Sequence, residues 1–210
     1  MITELRLAEL LCAQLCHDMS SPIGVILGAL PLLRQGGLNA EEAGEIADRA
    51  MREAAARLKL LRAAWSGEQA VRTGADIATL LDEGTRRMIR VELPTLARCY
   101  FPAEAGRLAL NLGLLAGLKQ SRPVTLRLSR EGSALLARLR GRGVVWPDSP
   151  TPGQLARSLL ATAAREDPRL SQLPVTLLLA RRAGMQLQRD RVNHALMRVT
   201  GAFAELRAGG

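Results

Sequence analysis

A long amphipathic segment at the N-terminus is the feature that most constrains how this chain can fold. On a helical wheel, residues 3–34 carry an apolar stripe with spacings of four, four, three, four, four and three, the repeat of a core-facing helix face. The stripe lies opposite His17 and consists of Leu11, Leu15, Met19, Pro22, Ile26, Leu30 and Leu33. Thr3 can cap this helix, and Gly36 and Gly37 can end it. The segment therefore predicts one long helix with a core-facing side.

A second helix is predicted over residues 40–65, where Asn39 and Glu42 have the spacing of a capping box. Its apolar stripe consists of Ala43, Ile46, Ala47, Ala50, Ala54, Leu58, Leu61 and Trp65. The loop 35–39 is short, so the two helices should form an antiparallel hairpin. One hairpin cannot cover Leu7, Val25 and Leu32 as well, so two copies should pair as a four-helix bundle. The sequence therefore predicts a homodimer.

The remaining chain mixes helices with short strands, and its join to the hairpin lies near residues 66–73, where Ser-Gly breaks the helical period. Helices are predicted over 76–89, 103–120, 153–164 and 173–182. Strands are predicted over 97–100, 124–129, 134–139, 186–189 and 195–199. The predicted fold class is α+β, with helices on one face of a small antiparallel sheet. We expect two domains, residues 1–68 and residues 71–210.

Composition excludes several function classes. The net charge is +9, but the basic residues are spread along the chain and only five residues are aromatic, so a base-stacking nucleic-acid surface is not expected. Three cysteines suit a reducing compartment. The longest apolar stretch, residues 22–33, is shorter than a membrane span, and the N-terminus does not resemble a signal peptide. We therefore expect a cytoplasmic protein without membrane insertion or nucleic-acid binding.

The side of the first helix that carries His17 differs from the core-facing stripe. It holds small or polar residues: Ala13, Gln14, Ser20, Ser21, Gly24 and Gly28. Such a surface packs poorly but leaves room for another protein to approach. Leu10 is a large apolar exception, as is common at the centre of an interface. We therefore predict partner-binding roles for Leu10, Gln14, Ser20, Gly24 and Gly28.

The segment 16–22, Cys-His-Asp-Met-Ser-Ser-Pro, resembles the H-box of dimeric histidine kinases. His17 stands at the phospho-acceptor position, Asp18 follows it, and Ser21 and Pro22 stand four and five residues later. The wider stretch 7–24 resembles the ChpT family of bacterial histidine phosphotransferases. That resemblance implies that His17 accepts a phosphoryl group from a receiver aspartate of a hybrid histidine kinase. The acceptors it implies are receiver aspartates of response regulators in cell-cycle control.

The chemistry of these residue types fits that role. A neutral imidazole is a nucleophile near pH 7, and phosphoryl transfer needs in-line access more than covalent machinery. Asp18 can bond to one ring nitrogen of His17 and fix its tautomer, and Ser21 can orient a transferring oxygen or a water. Pro22 has a structural role, because it bends the helix just past His17. We expect no cofactor or metal held by this chain, and Mg²⁺ supplied by the receiver's acidic pocket.

The second segment resembles the ATP-binding domain of histidine kinases but departs from its motifs. In residues 107–117, Asn111 matches the first Asn of the N-box, whereas Leu115 stands where a magnesium-binding Asn is expected. No Asp precedes the glycines of residues 141–148, and residues 173–180 match the helix of the nucleotide lid but carry no Gly-x-Gly. The resemblance therefore implies a degenerate kinase-like α/β sandwich without ATP binding, in which Asn111 is structural.

Two alternatives stay open. The first is an ATP-dependent histidine kinase with an unusual nucleotide site, and the second is a non-catalytic dimeric adaptor that docks a receiver. A metal site formed by Cys12, Cys16 and His17 is disfavoured because these residues lie on different sides of the helix. For the two cysteines we expect core packing.

Overall fold

The computed structural model describes residues 2–37, 39–67, 70–118, 122–147, 168–201 and 207–208. Helix α1 spans Ile2–Gln35 and helix α2 spans Ala40–Trp65. The turn between them uses Gly36 and Gly37, whose φ angles of 69° and 86° suit glycine. Ala29 packs with Ala43 and Ala47 near this turn, and farther from it Asp18 bonds to Arg57. The end of α1 therefore packs against the start of α2, and an earlier part of α1 contacts a later part of α2, which confirms the antiparallel hairpin.

The remaining elements form two sheets with helices packed against them. The helices are α3 Gly74–Gly84, α4 Ala103–Ala116 and α5 Gln172–Arg182, and a 3₁₀ turn covers Pro168–Ser171. The strands are β1 Arg72–Thr73, β2 Ile89–Glu92, β3 Cys99–Phe101, β4 Val124–Glu131, β5 Ala134–Arg140, β6 Gln186–Arg189, β7 Leu196–Thr200 and β8 Arg207–Ala208. The mixture of long helices and a helix-covered sheet confirms the predicted fold class.

The larger sheet has the strand order β2-β4-β5-β7-β6, and the smaller has the order β1-β3-β8. In β4 and β5, buried and more exposed residues largely alternate, so one face of the larger sheet packs on the core. Trp146 is fully buried and donates from Nε1 to the carbonyl oxygen of Ala137 at 3.0 Å. Trp146 thereby fixes residues 141–147, which follow β5, against this sheet.

The C-terminal half of α2 belongs to the core of the second segment. Leu60 and Leu61 are buried in the same cluster as Leu112 of α4 and Leu126 of β4. Arranged in this way, α2 contributes one stretch to the hairpin and another to the sheet domain. The expected domains, residues 1–68 and 71–210, remain a prediction.

The predicted helix over residues 76–89 is too long. Helix α3 ends at Gly84, and Arg86 and Arg87 follow with φ angles of 52° and 60°, a left-handed conformation that breaks the helix. The chain then forms β2, which pairs in parallel with β4. The sheet is therefore mixed, and the prediction of an antiparallel sheet is wrong at this edge. The predicted helix over residues 153–164 lies outside the described residues.

Helix α3 starts at a complete capping box. Thr73 accepts a hydrogen bond from the backbone N–H of Asp76, and the Asp76 carboxylate accepts from the backbone N–H and the hydroxyl of Thr73. The bonds from the Thr73 hydroxyl and backbone N–H lower the pKa of Asp76. This cap fixes the point where the chain enters the second segment.

One helix among the described residues, Leu5–Gln35, is long and apolar enough to cross a membrane by length and composition alone. The same properties are typical of a bundle helix whose apolar sides are covered by other helices. Helix α1 packs along α2 and touches the 3₁₀ turn at Pro168–Ser171. The absence of membrane insertion therefore stays a prediction.

Candidate functional site

His17 lies midway along α1 and points to solvent. Its side chain is 69% exposed, although the helix that carries it is continuous over 34 residues. The Nδ1 atom of the ring lies 3.6 Å from Oδ1 of Asp18, which is beyond hydrogen-bond distance. A small side-chain rotation would close this gap. The histidine is therefore both accessible and placed beside a carboxylate.

The neighbouring Asp18 is held from the opposite helix. Its Oδ2 atom accepts two hydrogen bonds from Arg57 of α2, from Nε at 2.9 Å and from Nη2 at 2.6 Å. The Asp18 side chain is only 13% exposed and that of Arg57 only 22%. A partly buried ion pair with two bonds to one oxygen has a more defined geometry than a surface pair. Asp18 is therefore oriented, and its Oδ1 atom faces the histidine.

The Asp18–Arg57 ion pair borders a cavity of about 270 Å³ between the hairpin and the second segment. Arg57 also donates from Nη1 to the carbonyl oxygen of Gly84, at 3.4 Å. A Cβ atom on Gly84 would lie 2.5 Å from Cβ of Leu60, so only glycine lets α3 approach α2 this closely. The second segment thus contacts the side chain that holds Asp18.

The open surface around His17 is present at five of the six small or polar positions predicted for it, Ala13 among them. Ser20, Ser21, Gly24 and Gly28 are exposed, and a Cβ atom on either glycine would meet no other atom within 4 Å. The hydroxyl of Ser20 donates to the carbonyl oxygen of Cys16 at 2.7 Å. These residues leave a broad, low surface along the helix, and their partner-binding role stays a prediction.

Ser21 and Pro22 lie one turn beyond His17. Ser21 borders a shallow depression of about 140 Å³ that Glu53 and Arg86 also line. Pro22 is buried inside the continuous helix, and because it has no N–H, the carbonyl oxygen of Asp18 lacks its intrahelical donor. The catalytic role of Ser21 and the structural role of Pro22 remain predictions.

Leu10 and Gln14 are not on the open surface, and their prediction as exposed partner-binding residues is wrong. Leu10 is 5% exposed and packs against Leu7 and Leu170. Gln14 is 3% exposed, and its Oε1 accepts a hydrogen bond from the Ser171 hydroxyl at 3.3 Å. The 3₁₀ turn at Pro168–Ser171 covers this part of α1, a long-range contact that a helical wheel cannot reveal.

The cysteines beside the histidine are also placed differently from the prediction. Cys12 and Cys16 are exposed and free, so core packing is wrong for both within this chain. Among the described residues, no group of three or more His, Cys, Asp or Glu side chains could hold a metal ion.

Asn111, the residue that matches the kinase N-box, is fully buried. Its Nδ2 donates to the carbonyl oxygens of Ala64 and Arg107, both at 2.8 Å, and its Oδ1 accepts from Nε2 of Gln172 at 2.8 Å. Leu115, one turn later, is 3% exposed. Asn111 therefore ties α2, α4 and α5 together, which agrees with the structural role predicted for it.

Sequence reasoning missed Arg57. It lies at the spacing of the α2 stripe, three residues after Ala54 and four before Leu61, so it is the charged member of a core-facing row. A charge in such a row needs a partner, and Asp18 is the acidic residue beside the motif histidine. A charged residue in the core-facing row of α2, together with an acidic residue beside the motif histidine, was therefore a sequence signal for this ion pair.

No family model matches the chain. It is similar to the protein phosphotransferase ChpT of Brucella abortus (strain 2308), with 32% identity over 197 residues that cover 89% of this chain and 90% of the relative. A solved structure of a bacterial phosphotransferase is also similar, with 27% identity, a TM-score of 0.66 and coverage of 93% of this chain and 95% of the other.

A third likeness is much weaker. The histidine kinase domain of the Erythrobacter litoralis EL346 blue-light activated histidine kinase shares 12% identity, with a TM-score of 0.35 and coverage of 86% and 92% of the two chains. A TM-score this low supports no inference about function.

Proposed function

The chain belongs to the ChpT family of protein phosphotransferases, and we propose that it is a histidine phosphotransfer protein of a bacterial two-component phosphorelay. The observation that carries the proposal is the exposed His17 on a rigid two-helix element, beside an oriented Asp18. In-line displacement at phosphorus needs an accessible nucleophile with fixed direction. These two residues supply both requirements.

In the proposed reaction, Nε2 of His17 attacks the phosphorus of a receiver's aspartyl phosphate. The N–P bond forms as the O–P bond breaks, and the receiver aspartate leaves as a carboxylate. The ring keeps its proton on Nδ1 and gains positive charge, which the carboxylate of Asp18 stabilises at short range. The reverse displacement passes the group to the next receiver. Ser21 is proposed to orient a phosphoryl oxygen, and each receiver supplies the Mg²⁺.

The donor in this proposal is the receiver domain of a hybrid histidine kinase, and the acceptors are receiver domains of response regulators. A receiver would dock along the open surface formed by Ser20, Ser21, Gly24 and Gly28, where no side chain bulk obstructs it. The protein is proposed to act in the cytoplasm, without nucleic acid or membrane insertion.

A homodimer is part of the proposal because, in the part of the chain that the structure describes, one side of the hairpin carries a row of exposed apolar side chains. On α1 the exposed apolar residues Ile23, Leu27 and Leu30 are 51%, 60% and 37% exposed. On α2, Met51 and Leu58 are 50% and 45% exposed and stand seven residues apart. These spacings match the packing repeat of helical bundles. The hairpin of a second copy would cover these exposed residues of α1 and α2.

The test is phosphoryl transfer in vitro. The protein is incubated with radiolabelled ATP, alone and then with a phosphorylated hybrid-kinase receiver, and wild type is compared with His17→Ala. We expect label only from the receiver, lost in His17→Ala, and stable to base but not to acid. Label taken directly from ATP would instead establish a kinase. Receiver binding without label in either arm would establish the docking adaptor.

A further inference from the structure

We infer that Arg57 is a positioning residue for phosphoryl transfer, because it holds Asp18 with one carboxylate oxygen directed at Nδ1 of His17. This inference rests on the proposed function and assigns a part in it to the second helix of the hairpin.

The asymmetry of the ion pair carries the inference. Both Nε and Nη2 of Arg57 bind the same oxygen of Asp18, Oδ2, at 2.9 and 2.6 Å. The other oxygen, Oδ1, is the one that lies 3.6 Å from Nδ1 of His17. A guanidinium that bonded both oxygens would compete with the His17 ring for Oδ1. The observed arrangement anchors the carboxylate by one atom and leaves the second for the histidine.

The direction of this contact determines which ring nitrogen reacts. Once a side-chain rotation closes the 3.6 Å gap, Oδ1 of Asp18 accepts a hydrogen bond from Nδ1–H of His17, which leaves the lone pair on Nε2 for attack. Without Arg57, the Asp18 carboxylate could turn toward solvent and the tautomer would no longer be fixed. In the described part of the chain, Arg57 bonds to Asp18 and Gly84 and not to the His17 ring, so its proposed effect on His17 is transmitted through Asp18.

The second segment contributes to the same anchor. Arg57 donates to the carbonyl oxygen of Gly84, at the C-terminal end of α3, where a helix carries partial negative charge. That carbonyl limits how far the guanidinium can swing while it holds Asp18. The sheet domain thus has a physical connection to His17 that requires no nucleotide.

The experiment measures the rate of phosphoryl transfer from a phosphorylated receiver domain to the full chain. We compare wild type with Arg57→Gln, Arg57→Lys and the matched control Arg52→Gln, since Arg52 pairs with Asp48 on the same helix with its side chain 73% exposed. We expect Arg57→Gln to slow transfer about tenfold or more, as for other groups that orient a reacting side chain. Arg57→Lys should recover part of the rate, and Arg52→Gln should match wild type.

Two further readouts separate positioning from a merely structural role. ¹⁵N chemical shifts of the His17 ring should report mainly the Nδ1–H tautomer in wild type and a mixture in Arg57→Gln. In an Asp18→Asn background, Arg57→Gln should cause no further loss, because the two residues act as a unit. Circular dichroism checks that each variant is folded.

An unchanged rate and tautomer in Arg57→Gln would overturn the inference, and so would additive losses in the double variant. Failure of the wild-type protein to take label from any receiver would overturn the proposed function instead. In that case the tautomer measurement still decides whether Arg57 positions the Asp18–His17 pair.

Discussion

Gln172 of α5 and Asn111 of α4 are joined by buried hydrogen bonds, the shorter of which runs from Nε2 of Gln172 to Oδ1 of Asn111 at 2.8 Å. Neither residue is more than 1% exposed. In Asn111→Ala, Gln172 and the carbonyl oxygen of Ala64 would each lose a partner. At about 1–3 kcal/mol for a buried polar group left unsatisfied, we expect a loss of about 2 kcal/mol or more.

Urea denaturation measures this loss, with Gln35→Ala as the control because Gln35 is exposed at the end of α1. The control should change the free energy of unfolding by less than about 0.5 kcal/mol. Wild-type stability in Asn111→Ala would contradict the structural role of this residue.

Gly24 tests the surface beside His17. Gly24 lies seven positions after His17, about 10 Å along the helix axis, and a Cβ atom on Gly24 would meet no other atom within 4 Å. We expect Gly24→Trp to slow transfer from a phosphorylated receiver at least about tenfold, the effect of about 1.4 kcal/mol in the docked complex. Gly24→Ala should keep the wild-type rate and raise helix stability by about 0.5–1 kcal/mol. Equal rates for the Trp and Ala variants would place the docking surface elsewhere.

A substitution at Leu27 tests whether the exposed apolar residues of the hairpin form the proposed dimer interface. It is 60% exposed in one chain, and burying a glutamate there without a partner would be costly. Leu27→Glu should therefore give a monomer in size-exclusion chromatography with light scattering, whereas wild type gives a dimer. Val192 is 94% exposed in the second segment, outside the proposed interface, so Val192→Glu should remain dimeric. A dimer of unchanged affinity in Leu27→Glu would exclude this row from the interface.

Asp76 gives the stability of the second segment a defined pH dependence. Hydrogen bonds from Thr73 lower its pKa in the folded state, so the folded protein binds fewer protons than the unfolded chain near the ordinary value of about 4. The contribution of Asp76 is therefore complete above that value and is lost as pH falls through the lowered pKa.

Asp76→Asn should cost about 0.5–1 kcal/mol at pH 7 through the weakened capping box. The difference from wild type should shrink toward pH 3, as measured by urea denaturation at several pH values. A difference that stays constant with pH would mean that the cap does not depend on the charge of Asp76.

Local patterns predicted much of this molecule. Helix α2 and strand β6 occupy the predicted residues 40–65 and 186–189, and α1 differs from its prediction by one residue at each end. These elements have long periodic stripes or clear end signals, so neighbouring residues determine their bounds. The exposed face with His17, Ser20 and Ser21 follows from the same periodicity.

The errors arise where contacts are distant in sequence. Strand β2 is missing from the prediction, whose helix runs to residue 89, because Ile89–Glu92 gain strand character only by pairing with β4. Leu10 is wrongly predicted on the docking surface because the residues near it in sequence do not indicate that Leu170, far along the chain, packs over it. Yet a large apolar residue on a face of small ones is itself a sign of a covering neighbour.

The shared core of α2 and the sheet domain bears on how such a chain can evolve. Leu60 and Leu61 are at most 2% exposed because α3 and α4 pack against α2 and join it to the core of the second segment. A deletion that removed the second segment would expose this half of α2 and release the helix that carries Arg57. Selection can therefore retain the whole domain even where no selection acts on nucleotide chemistry, because part of the hairpin's second helix is buried in the same core.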